Sequence, residues 1–273
     1  MDATDDFDIV RLEEADAGGG LALSTEAGWN QNEADWCFLL AKGTVFGVRD
    51  RGRHVVATAA LLPYTDTDAW ISMVLVTERW RRRGLARRLV DACIDAATRL
   101  GVTAWLDATE AGAAIYGPLG FTPTIELRRL ALVASAATEL QLRAGRLGDF
   151  LTLDIGAMGF SRHCLLLELC ARQGSRLLSN DDAMALVRDG RTARHIGPLF
   201  ANSEPHALAM VRDIAAAENG PLLIDAVASQ DAFVEGLGEA GWTIERPFRR
   251  MRFGRATTKA GELPFAVAGP EFG

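Results

Sequence analysis

The stretch WISMVLVTERWRRRGLARRLVDACIDAATRLG, Trp70 to Gly101, constrains the fold more than any other part of the chain. Its first seven residues are aromatic and β-branched, the make-up of a buried strand. From Leu85 onward Leu85, Leu89, Ala92, Cys93, Ala96, Ala97 and Leu100 recur at helical spacing, and Gly101 supplies a C-terminal stop. Between strand and helix lies TERWRRRG. Six arginines (Arg79, Arg81, Arg82, Arg83, Arg87 and Arg88) crowd this short stretch of a chain whose net charge is −7.

A loop that feeds a helix N-terminus offers free backbone N–H groups and the positive end of the dipole, which together attract an anion. Gly84 lets that anion approach the backbone because no Cβ stands in the way. The arginines add charge suited to phosphates, so the stretch reads as a pyrophosphate cradle. It is not a Walker A loop, because neither lysine, Lys42 or Lys259, sits in a Gly-Lys-Ser/Thr ending. Nor is it the dinucleotide fingerprint, which needs three spaced glycines where only Gly84 is present. A nucleic-acid face would extend the basic charge and interleave aromatics. Here the flanks return at once to acidic and apolar residues, and a pI of about 5.2 argues against a polyanion partner.

The cradle has the form R-x-x-G-x-A, Arg81-Arg82-Arg83-Gly84-Leu85-Ala86, directly after a strand. About thirty residues on comes TAWLDATEAGAAIYGPLGFTPTIELRRL. In it Thr103 to Ala108 reads as a strand, Ala111 to Leu119 as a short helix, and Gly120-Phe121 as a turn into another strand. Both motifs, in this order, resemble the GNAT family of N-acetyltransferases. That family's loop reads [QR]-x-x-G-x-[GA], and its later segment ends in a tyrosine followed by Leu-Gly-Phe. Tyr116 falls on the position the family uses beside the sulfur of coenzyme A.

The resemblance implies a mixed α+β fold: a central, mostly antiparallel sheet flanked by helices. It implies acetyl-CoA as co-substrate, with Arg81, Arg82, Arg83, Gly84, Leu85, Ala86 and Arg87 around the pyrophosphate and Thr109 and Tyr116 also on the cofactor. Backbone amides of Val74, Leu75 and Val76 are expected to hold the pantetheine arm and polarise the acetyl carbonyl. Trp29, Asn30, Asn32 and Trp36 lie where the family shapes its amine site. No metal is expected. The four cysteines form no CxxC pair and the four histidines do not cluster beside them.

The implied reaction makes demands on proton transfer. An alkylammonium with pKa near ~10.4 costs roughly 4.6 kcal/mol to deprotonate at pH 7, so a base or a water chain is expected. Asp107, at the end of its strand, and Glu26, in the substrate region, are the candidate bases, with attack through waters equally open. A thiol of pKa ~8.5 against a tyrosine of ~10 makes full transfer from Tyr116 uphill by roughly 2 kcal/mol. Tyr116 is therefore expected to act as a hydrogen-bond donor to the developing thiolate.

The remaining half repeats the first. GFTPTIELRRL (Gly120 to Leu130) matches GWTIERPFRRM (Gly241 to Met251) in its glycine, aromatic, threonine and paired arginines. Leu208-Ala209 stands to Gly241 nearly as Leu85-Ala86 stands to Gly120. The chemistry is lost in the copy, where Glu204 and Ala207 replace Arg81 and Gly84, and Leu237 replaces Tyr116. The chain therefore resembles bacterial tandem GNAT proteins, with a catalytic domain over 1–132 and a degenerate one over 133–273. Ala131 to Gly148 forms the linker, and ATELQLRAG within it could be a short helix. Asp154 and Arg162 read as a structural ion pair or as part of an inter-domain cleft.

The expected activity is direct acetyl transfer from acetyl-CoA to a primary amine of a small molecule. A protein or peptide amine, and a non-catalytic CoA-binding regulatory module, stand as alternatives. The start MDATDDFD is acidic and lacks an apolar core, so no signal or transit peptide is expected there. No apolar run approaches the ~18 residues of a membrane span. Expected surroundings are a reducing cytoplasm with no membrane or nucleic-acid partner, for a monomer or homodimer.

Overall fold

A computed structural model describes residues 7–133, 142–255 and 262–273. Lys259 and residues 134–141 of the expected linker lie outside them. By packing, the chain forms two compact units, Met1–Ala104 and Trp105–Gly273.

In the first unit β1 (Val10–Arg11), α1 (Ala17–Glu26), α2 (Glu33–Lys42), β2 (Thr44–Arg49), β3 (Val55–Pro63), β4 (Asp68–Val76) and α3 (Leu85–Leu100) follow in order. The four strands pair antiparallel in chain order. α3 packs on β3 and β4 and buries Leu85, Leu89, Val90, Cys93 and Ala97, the stripe its spacing predicts. Gly101 ends it at φ 72°, a left-handed cap that glycine adopts without steric cost.

β5 (Thr103–Ala108) crosses the packing boundary. The second unit continues with α4 (Glu110–Tyr116), β6 (Thr122–Leu132), β7 (Arg143–Ala144), α5 (Leu147–Met158), α6 (His163–Ala171), β8 (Arg176–Ser179), β9 (Ala183–Arg188), β10 (Arg194–Ala201), α7 (Glu204–Ala217), β11 (Leu222–Val227), α8 (Asp231–Glu239) and β12 (Thr243–Phe253). The order of elements from β7 to β12 reproduces that from β1 to β6, so the repeat seen in the sequence spans the chain.

The packing boundary does not follow the repeat, and the reason is an exchange of strands. The second unit's sheet runs β5-β12-β6-β11-β10-β9-β8-β7. β6, last strand of the first repeat, pairs with β11 from Leu222↔Leu132 to Val227↔Leu127. On its other edge it pairs with β12, last strand of the second repeat, and β12 in turn borders β5. Each repeat therefore hands its final strand to the other. The apolar core beside β11 gathers Leu130, Ile196, Met210, Ile224, Phe233 and Leu237.

Candidate functional site

The arginine loop takes its shape from two left-handed residues. After β4 a single 3-10 turn, Glu78–Trp80, leads to Arg81 in extended conformation. Arg82 (φ 63°) and Gly84 (φ 75°) then reverse the chain into α3. Arg81 Nε donates to Val76 O at 3.2 Å, tying the loop back to the strand, and the Arg83 guanidinium lies 4.8 Å over the Trp80 ring. Arg81, Arg82, Arg83 and Arg87 are exposed. No side chain caps the first turn of α3. A Cβ built on Gly84 would meet nothing within 4 Å, so the approach to that helix end is open.

β4 carries an irregularity that its sequence does not announce. Leu75 pairs with Thr58 and Ser72 with Ala60, which leaves Met73 and Val74 together facing Ala59. This is a β-bulge, with Met73 in the left-handed region at φ 52°. Thr58 Oγ1 donates to Met73 O at 2.8 Å and secures it. The bulge falls at the start of Val74–Val76, the segment expected to present its amides.

The amine region is mostly committed to the fold. Trp36 is fully buried and its Nε1 donates to Ser24 Oγ at 3.1 Å. A substrate contact needs surface, and Trp36 has none, so that expectation is corrected. Its ring lies so close to Gly20 that a Cβ there would approach Trp36 Cε3 to 2.3 Å. Asn32 is the N-cap of α2, its Oδ1 accepting from Asp35 N while Asp35 returns the bond. Trp29 is half-buried and Asn30 buried. Glu26 is exposed. Its carboxylate accepts from Glu78 N and Thr77 Oγ1, each at 2.7 Å. These bonds, the backbone one first, hold its pKa below the ordinary carboxylate value and weaken it as a base.

In the second unit Thr109 caps α4, its Oγ1 accepting from Gly112 N at 3.2 Å. Tyr116 ends that helix, buried, with its ring 5.8 Å from Phe121. Gly112 makes room for it one turn earlier, where a Cβ would come within 2.9 Å of Tyr116 Cε2. Asp107 is buried to 0% side-chain exposure, and both its oxygens accept from Arg250. Burial raises its pKa, and the Arg250 charge offsets this only in part. With no exposed surface and Arg250 bound to both oxygens, Asp107 is closed to a substrate amine, and the expectation that it serves as base is corrected. Asp154 and Arg162 form a buried pair, with Nε to Oδ2 at 2.9 Å.

A model described as the acetyltransferase (GNAT) family matches residues 12–121, and a second, described as an acetyltransferase (GNAT) domain, matches 150–265. The chain belongs to the GNAT family, with two such domains in tandem. It is 26% identical over 255 residues to YitH of Bacillus subtilis (strain 168), named an uncharacterized N-acetyltransferase, covering 89% of each chain. A candidate acetyltransferase of Pyrococcus horikoshii shares the fold at TM-score 0.82 and 17% identity, over 98% of this chain and 96% of that one. A tandem GNAT protein from the clavulanic acid biosynthesis pathway aligns at TM-score 0.62 and 14% identity, over 92% and 100%.

The GNAT family uses acetyl-CoA, and the first repeat fits it. Exposed arginines surround a left-handed glycine at the uncapped start of a helix, with open space where a Cβ would project. The second GNAT repeat is built differently at the same place. α7 begins at Glu204 with Pro205 in its first turn, after Ser203 in extended conformation rather than a left-handed glycine. Leu237, at the place of Tyr116, is a core residue. Among the described residues no group of three or more His, Cys, Asp or Glu side chains could hold a metal, and no helix is long and apolar enough to cross a membrane.

Proposed function

We propose that this GNAT N-acetyltransferase transfers the acetyl group of acetyl-CoA to a primary amine of a small molecule by direct attack in a ternary complex. The first repeat (1–132) is the catalytic domain and the second (133–273) a degenerate one. The observation that carries the reading is the Arg81–Ala86 loop, where two left-handed residues deliver exposed arginines to an uncapped helix N-terminus.

In this reading Arg81, Arg82, Arg83 and Arg87 bind the pyrophosphate together with the first-turn amides of α3. The bulge at Met73 turns the backbone of Val74–Val76 toward the pantetheine arm and the acetyl carbonyl. When bound, acetyl-CoA supplies the activated thioester. Tyr116 holds its hydroxyl proton where negative charge gathers on sulfur, and stabilises it by a hydrogen bond that strengthens as the charge grows. With Asp107 clamped and Glu26 held acidic, neither is assigned as base, and the ammonium proton leaves through water. Trp29, Asn30 and Asn32 remain the residues for contact with the amine. Four free cysteines, two of them exposed, suit a reducing cytoplasm.

The test is a screen of small amines with acetyl-CoA, following release of free thiol. Turnover that saturates in both substrates supports the reading. If only protein or peptide amines are acetylated, the small-molecule assignment is wrong.

A further inference from the structure

The second repeat lacks a cofactor loop, yet the groove that a cofactor arm would need is present there and is full. β10 and β11 run parallel and pair only from Arg194↔Leu222 to Ile196↔Ile224. At Gly197 and Pro198 β10 carries a bulge, because Ile196 pairs with Val187 and Leu199 with Ala185, leaving both residues opposite Leu186. This repeats the bulge at Met73 and Val74, and it puts Leu199 at the place of Leu75.

Beyond the bulge a segment from the far end of the chain enters between the two strands. It bridges antiparallel to both, Leu199↔Ala266 on one side and Ala226↔Ala266 on the other. Phe265 N–H donates to Leu199 O at 2.9 Å, and Leu199 N–H donates to Ala266 O at 3.0 Å. Across the groove Val227 N–H donates to Phe265 O, and Val267 N–H to Asp225 O, each at 3.0 Å. The Phe265 ring meets Phe233 of α8 edge-on, with centroids 5.3 Å apart. Gly197 is required for the fit, since a Cβ there would come within 2.0 Å of Val267 O.

The segment is then locked by buried arginines. Arg188 Nη2 donates to Ala268 O at 2.8 Å and to the Glu271 carboxylate. Arg162, paired with Asp154, donates to Phe272 O at 2.9 Å and also to Gly273 O. From Phe265 to Ala268 every residue is buried.

We propose that the β10/β11 groove is a peptide-binding site, occupied in cis by Phe265–Val267. It takes an extended backbone through hydrogen bonds on both edges, plus one aromatic side chain against Phe233. In the proposed function the corresponding strand of the first repeat offers its amides to a pantetheine arm, itself a chain of amides. The peptide thus stands in for the arm, and the second domain is closed to coenzyme A by its own chain as well as by its loop. Only this comparison of the two grooves rests on the proposed function. The test below contains no acetyl-CoA, so either idea can fail alone.

A protease site placed between Arg255 and Glu262 of the full chain allows the segment to be cut free without removing it. The cut fragment should co-elute with the body under native conditions. A labelled synthetic peptide spanning Leu263 to Gly273 should exchange into the groove in a saturable way. The same peptide with Val267→Pro loses the N–H that Asp225 O accepts, and its affinity should fall about tenfold or more. Because that change lies in the peptide, folding of the protein does not enter. Gly197→Ala in the cut chain should also release the fragment, whereas Gly148→Ala, where a Cβ meets nothing within 4 Å, should not. Immediate loss of the fragment on cutting with no uptake of peptide, or equal binding of the proline peptide, would overturn the proposal.

Discussion

Arg250 reaches Asp107 through two parallel bonds, Nε to Oδ1 at 2.8 Å and Nη2 to Oδ2 at 2.9 Å. One residue belongs to the last strand of the second repeat and the other to the fifth strand of the first. The mirror pair is present too: Arg129 on β6 grips Asp225 on β11 at 2.9 and 2.7 Å. The two carboxylates titrate in opposite directions. Burial pushes both up. At Asp225 the Arg129 charge and the bonds from His195 and Arg129 win and hold the pKa well below the usual range. Asp107 has no histidine beside it and feels the charge of Asp225 as well.

Removing one partner of such a pair leaves a buried, uncompensated charge. Arg250→Met should cost about 3–5 kcal/mol of stability. Adding Asp107→Leu to it should recover much of that loss, because the stranded charge goes. Urea unfolding of the two single variants and the double variant measures the coupling. A change under about 0.5 kcal/mol for Arg250→Met would place it among ordinary surface substitutions.

Gly84→Val tests the cradle. A non-glycine residue in left-handed conformation costs about 1–2 kcal/mol, a loss visible in thermal melts. The side chain would project where the anion is expected to approach. Losing one or two charge-assisted bonds should raise the acetyl-CoA Kd by roughly 10- to 100-fold. Calorimetry giving an unchanged Kd would remove the loop from the binding site.

Tyr116→Phe keeps the ring against Phe121 and removes one hydroxyl. Stability and the KM for acetyl-CoA should barely move, while kcat falls roughly 10²-fold. A thioester with a more acidic thiol should narrow the gap, since its leaving group needs less help. Unchanged kcat would leave Tyr116 as a packing residue.

His195 gives the second unit a pH dependence. Burial lowers its pKa below the ordinary histidine value, and the bond to Asp225 and its charge only partly restore it against the repulsion of Arg188. Nε2 lies 2.9 Å from Asp225 Oδ2, while Nδ1 has no hydrogen-bond partner among the described residues. The folded state thus binds fewer protons than the unfolded state. This stability is present above pH ~6.5 and is lost as pH falls below it, by at most about 1.4 kcal/mol per pH unit. His195→Gln should flatten the unfolding free energy between pH 7 and 5. An unaltered slope would show that other groups set it.

Local signals made the first half of the site legible. A strand, an arginine-rich turn, a glycine and an amphipathic helix are each written in adjacent residues. α3 and β5 accordingly begin and end where the sequence places them. Neighbours in space are not written that way. β6 and β12 are partly buried strands, and nothing in TPTIELRRL names its partners. The paired arginines mark the repeat, but only burial tells that Arg129 and Arg250, 4% and 6% exposed, point inward to aspartates. Trp36 illustrates the same limit, since an aromatic on an amphipathic segment can face core or ligand with one spelling. The bulge at Met73 leaves no mark because no glycine announces it.

The exchange of final strands also sets a timetable for synthesis. While the ribosome is still making the second repeat, β5 and β6 exist without β12, the strand that sits between them in the finished sheet. Asp107 waits for a guanidinium encoded 143 residues later. Pairings so distant along the chain are slow to form and leave strand edges open to aggregation. The first repeat is thus translated before the second, but its sheet cannot be completed until β12 has been made.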